Sequence, residues 1–131
     1  MYMNQSNQMS RNMKCLIFVK STKDSENGVI PSKKLLAAMG AFNDELIKAG
    51  IMKDADGLKP TRQGKRIRFS GSERTVIDGP FTPVGEQVAG YWIWDVKSMD
   101  EAVEWLKRCP NPMLVDSEIE IRPAYEASDF E

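Results

Sequence analysis

Asp78-Gly79-Pro80-Phe81, followed after Glu86 by Gly90-Tyr91-Trp92-Ile93-Trp94-Asp95-Val96, is the stretch on which the reading of the fold turns. Asp, Gly and Pro together make a tight turn. The run behind it reads as a strand carrying three aromatics. A carboxylate, a turn and stacking surface therefore come together, the expected mouth of a pocket. Neighbours along a strand point to opposite faces, so Trp92 and Trp94 share one face and Tyr91 and Ile93 the other. A one-residue slip reverses every assignment, and the sequence leaves open which pair looks towards the helices.

Upstream, Met13 to Lys20 contains the apolar run Cys15-Leu16-Ile17-Phe18-Val19 and reads as a buried strand. Ser21 to Gly28 reads as a polar loop whose charges Lys23, Asp24 and Glu26 face solvent. Ser32 caps a helix that runs to about Ala49, with Gly50 as its stop. Leu35, Met39, Phe42 and Leu46 form its apolar face, with Met39 and Phe42 expected in the core. Ile51 to Thr61 is a connector with a short strand expected near Gly57-Leu58-Lys59; its Asp54, Asp56 and Gly57 lack the spacing and terminal Glu of a calcium loop. Lys65 to Phe69 alternates as a half-buried strand, with Ile67 and Phe69 opposite Arg66 and Arg68. It turns at Ser70-Gly71-Ser72 into a second arm, Arg74 to Ile77.

Downstream, Ser98 and Glu101 make a capping box for a helix expected to reach Cys109 and to bury Met99, Ala102, Val103 and Leu106. Pro110 and Pro112 end it. In Ser117 to Pro123, Ile119 and Ile121 point inward while Glu118, Glu120 and Arg122 point out. The order is strand, helix, strands, strand, helix, strand. The expected class is α+β: a ferredoxin-like βαββαβ plan with an antiparallel sheet and two helices on one face. The domain is expected over 13–126, with a disordered extension at 1–12 and a tail at 127–131.

Length and composition bound the function. The chain has 131 residues, 41% hydrophobic and 28% charged, enough for one domain with a core of its own. A net charge of -1 and a pI of about 5.6 give no basic footprint for nucleic acid or a membrane surface. No apolar stretch approaches the roughly 20 residues of a membrane span. There is no histidine, which excludes a Ser-His-Asp triad, a Cys-His pair and a His-based zinc site within one chain. No metal site and no cofactor is expected. Cys15 and Cys109 read as free thiols of a reducing, cytoplasmic setting.

The helices cover one side of the sheet. The other is expected to carry Arg66, Arg68, Glu118, Glu120 and Arg122 beside alternate members of the aromatic strand. As cross-strand pairs these charges need only water. Large aromatics beside an uncovered sheet point instead to a homodimer, two sheets face to face around a cavity.

The ordered set Asp78-Gly79-Pro80-Phe81, Glu86, Gly90-Tyr91, Asp95, Ser98, Asp100-Glu101-Ala102, Trp105 and Glu120-Ile121-Arg122-Pro123 resembles the YCII-related family, and within it the DGPF-domain branch. The likeness spans Met13 to Ala124. It implies a ferredoxin-like fold, a dimeric α/β-barrel, and a wider superfamily that includes small-molecule enzymes. The His-Asp pair of some relatives has no counterpart here. Pro83 and Gly85 also stand where the branch usually has a Glu and a Lys.

Two functions compete. The first is a small-molecule or degenerate enzyme acting on a small anionic or aromatic metabolite in a dimer cavity. Asp78 or Glu86 is then the base, Arg122 or Arg74 holds the anion, and Phe81, Trp92 and Trp94 contact the substrate. The alternative is a non-catalytic dimeric ligand-binding or regulatory module. Without function, Asp78 bonds its own turn, Glu86 pairs with an Arg or an amide, and Arg122 makes a sheet-face ion pair.

Overall fold

The structure, a computed structural model, describes residues 12–131. The expectation for the N-terminal stretch falls almost wholly outside them. Six strands and three helices follow in order: β1 (Met13–Lys20), α1 (Lys23–Glu26), α2 (Lys33–Lys48), β2 (Met52–Gly57), β3 (Lys65–Ser70), β4 (Glu73–Asp78), β5 (Val88–Val96), α3 (Met99–Leu106) and β6 (Ile119–Pro123). The class is α+β. Among the described residues one antiparallel sheet has the order β2-β5-β1-β6, and β3 and β4 pair only with each other.

β5 sets the register. Its partners on β1 are Cys15 opposite Trp94 and Ile17 opposite Trp92; on β2, Met52 opposite Trp94 and Ala55 opposite Trp92. Both indoles lie on the helix face, with Trp94 fully buried and Trp92 nearly so. Phe42 of α2 sits 6.0 Å from Trp92 and 6.5 Å from both Trp94 and Trp105, ring centre to ring centre. Residues of both α2 and α3 (Phe42, Leu46, Ala102) join the same core as Cys15, Ile17 and Val96. Edge-to-face aromatic contacts add to the apolar area they bury.

Local chemistry fixes the ends of α2. The Ser32 hydroxyl accepts from Leu35 N–H at 3.1 Å. At the other end Gly50 has φ +75°, donating to Ile47 O, while Ile51 N–H reaches Leu46 O at 2.9 Å. That is the double bond of a glycine stop, with buried Ile51 packed in the same core as buried Leu46. At α3, Ser98 Oγ accepts from Glu101 N–H, and the Glu101 carboxylate takes the N–H of Lys97 instead of closing a reciprocal box on Ser98. The helix ends at Leu106, short of Cys109.

Several expectations are corrected. Ser21–Gly28 contains the short helix α1, closed by Thr22 and Ser25 bonding each other's backbone. The strand after α2 lies at Met52–Gly57, earlier than expected, because it pairs with β5 through Asp54, Ala55 and Asp56. The β3–β4 hairpin stands apart from the main sheet with every residue exposed, so Arg66 and Arg68 are not on the open sheet face. Glu118 precedes β6. The open face instead carries Leu16, Phe18, Tyr91 and Ile93, half-buried, beside Glu120 and Arg122.

Trp94 fills the centre of this packing, and its indole N–H has no acceptor among the described residues. Trp94→Ala is expected to destabilise the fold by about 3–5 kcal/mol through the cavity it leaves, read as a shift in the urea midpoint at unchanged slope.

Candidate functional site

A cavity of about 830 Å³ lies on the helix face, between the N-terminal half of α2 and the β2–β5 side of the sheet. Trp92, Ala55 and Val19 border it from the sheet, and Leu35 and Met39 from α2. Three loops complete the wall: 22–31, 58–63 and 112–114. Its lining is mostly apolar with a few polar groups, the usual make-up of a small-molecule site. Asn43 is one of them. Its Oδ1 accepts the Trp92 indole N–H at 2.9 Å, which leaves the amide NH2 free to donate. Arg62 and Lys59 add positive charge, Asp24 and Asp56 negative.

The wall loop 60–63 is held by the Asp78-Gly79-Pro80-Phe81 turn. Gly79 N–H donates to Gly64 O at 3.1 Å. Phe81 N–H donates to Thr61 Oγ1 at 3.0 Å, and the Thr61 hydroxyl donates in turn to the Glu26 carboxylate. Thr61 N–H donates to the other Glu26 oxygen at 2.9 Å, and Arg62 Nη1 to the Glu26 carbonyl at 2.9 Å. A Cβ on Gly79 would come within 1.7 Å of Thr61 O, so only glycine fits. Arg66 lies 4.0 Å over the Phe81 ring and bonds Gln87 Oε1 at 3.1 Å. The turn is thus a clamp that sets the cavity wall.

Of the seven residues expected to act on or contact a substrate, only Trp92 lines the cavity. Trp94 is buried beside it in the core. Asp78 is exposed and pairs with Lys65 at 2.5 Å. Glu86 is exposed in a 3₁₀ turn, its carbonyl accepting from Lys20 Nζ at 3.3 Å. Phe81 is half-buried beneath Arg66. Arg74 lies over Phe69 and donates to the carbonyls of Gly71 and Glu73. Arg122 pairs with Glu120 on the open sheet face. The structure does not gather these residues around one point.

Asn43, Arg62, Thr61 and Glu26 did not stand out in the sequence. Asn43 carried a signal: it stands on the apolar face of α2, four residues after Met39 and next to Phe42. Glu26 gave none, because its role depends on a loop 35 residues away. Among the described residues, no three of His, Cys, Asp and Glu come close enough to hold a metal ion, and no helix is long and apolar enough to cross a membrane.

A profile of the YCII-related domain matches residues 13–127. An uncharacterized protein of Rhizobium meliloti (strain 1021) is 29% identical over 91 residues, covering 70% of this chain and 73% of the relative. The chain belongs to the YCII-related family.

Two outcomes follow from the site. Gly79→Ala is expected to cost at least about 2 kcal/mol, since the obstruction is backbone and cannot swing aside. Asp78→Asn, which removes only an exposed ion pair, should change stability by less than about 1 kcal/mol. Equal losses in urea unfolding would refute the clamp. Burial pushes the Cys109 thiol up from 9.0 to about 11. The unfolded thiol ionises first, so the stability it contributes is present below pH 9 and lost as pH rises towards 11. Cys109→Ala should flatten the alkaline limb of a stability–pH curve.

Proposed function

We propose that this chain is a homodimeric small-molecule-binding protein whose ligand, a small aromatic or anionic metabolite, occupies the cavity between α2 and the sheet. The observation that carries the reading is that cavity, with the edge of the nearly buried Trp92 at its floor and an Asn43 amide oriented by the indole it accepts from. An aromatic body fits against Trp92 and Met39, and a carboxylate is within the chemistry of Arg62 and Lys59. Asp78 and Glu86 stand outside this cavity, so the reading rests on binding and assigns neither a proton-transfer role.

The fold element order and the sheet order support a ferredoxin-like unit. The open face supports a dimeric barrel. Leu16 faces Ile93 and Phe18 faces Tyr91 across β1 and β5, an apolar patch with charges on both sides. A second sheet laid on it would bury the patch and leave the charges at the rim, as interfaces generally do.

Titration calorimetry with a panel of small aromatic and dicarboxylic acids is expected to give saturable binding for at least one. Met39→Trp, which narrows the cavity beside α2, should weaken it for every member, and Arg62→Ala should weaken the anionic members selectively. Binding that ignores both variants in folded protein would overturn the site. Sedimentation at micromolar concentration is expected to show a dimer.

A further inference from the structure

We infer that the β3–β4 hairpin is an arm that clasps the second copy along the outer edge of β2, so that each cavity is bordered in part by the other subunit. This rests on the homodimer proposed above.

The arm needs a partner. All twelve of its strand residues are exposed. Ile67 and Val76 pair directly across it, and with Phe69 they make one apolar face; Phe69 is 70% exposed and Val76 60%. A lone two-stranded hairpin is barely stable in water. Among the described residues its own chain anchors only the base, through Gly79 to Gly64 and Arg66 to Gln87 and Phe81. Each strand extends roughly 20 Å, comparable with the breadth of a four-stranded sheet.

The outer edge of β2 offers what the arm lacks. Among the described residues β2 is an end strand of the sheet, with one side of its backbone unpaired. Asp54 and Asp56 both lie within 3.4 Å of the Tyr91 hydroxyl, whose single proton can serve one carboxylate at a time, but neither pairs with a cation among the described residues. The arm carries four cations (Lys65, Arg66, Arg68, Arg74) against two anions (Glu73, Asp78). Of these cations, Arg68 makes no ion pair or hydrogen bond within the described chain. Just past β2 begins the cavity's exposed apolar lip, Leu58 with Ile30, Val29 and Leu114. Two exposed apolar patches and two unmatched sets of charge therefore complement each other, and neither arm nor lip is covered by the described residues of one chain.

The test uses the full chain. Phe69→Cys combined with Leu58→Cys is expected to give a covalent dimer on oxidation, seen on a non-reducing gel and absent from either single variant. Arg68→Glu should weaken self-association by about tenfold in sedimentation, and adding Asp54→Lys and Asp56→Lys should restore it. A dimer in sedimentation that neither cross-links nor responds to Arg68→Glu would overturn the clasp and leave the homodimer standing. A monomer at all concentrations would overturn both. An intramolecular disulfide, with no covalent dimer, would show the arm folding back on its own lip and would overturn the clasp alone.

Discussion

The register of β5 is the constraint on which the rest of the molecule depends. With Trp92 and Trp94 turned towards the helices, Ile17 and Cys15 follow on β1 and Ala55 and Met52 on β2. Phe42 then fixes α2 over both indoles. A slip of one residue in β5 would bring Tyr91, Ile93 and Asp95 inward in place of the indoles and put the Asp95 carboxylate beneath the helices. That cost makes the register unambiguous in the folded chain, although the alternation alone does not state it.

The same register divides the molecule into a tight half and a loose half. Towards its C-terminal end α2 lies close on the sheet, and Phe42 and Leu46 are buried. Towards its N-terminal end the helix stands off, and Leu35 and Met39 border open space over Trp92. The cavity is therefore continuous with the core, and its floor inherits the core's rigidity. Its outer wall does not. That wall is made of loops, and the Glu26–Thr61–Phe81 bonds hold one of them to another.

Much of the fold was legible because strong local signals agreed with it. β1 and β5 are apolar runs that the interior requires, and Ser32, Gly50 and Ser98 mark helix ends with the bonds their side chains or backbone make there. β2 was misplaced because its residues Lys53, Asp54 and Asp56 face out at a sheet edge and resemble a loop. The hairpin was read correctly as a hairpin, but alternation does not name a strand's neighbours, and it was assigned to the wrong sheet. The site was the least legible part. Its lining comes from five separated segments, and of the seven expected site residues only Trp92 is among them. The Asp-Gly-Pro-Phe turn drew notice for its carboxylate, whereas the structure uses its glycine and its backbone amides.

The zero clearance at Gly79 separates what can vary from what cannot. The clamp grips the wall loop by main-chain atoms and one hydroxyl, leaving the side chains of Lys59, Arg62 and Gln63 uncommitted to the grip itself apart from the single Arg62 bond. A lineage can therefore exchange those side chains while the loop path and the aromatic interior stay as they are. The chemistry of the cavity wall and the foldability of the chain are thereby placed under nearly independent control.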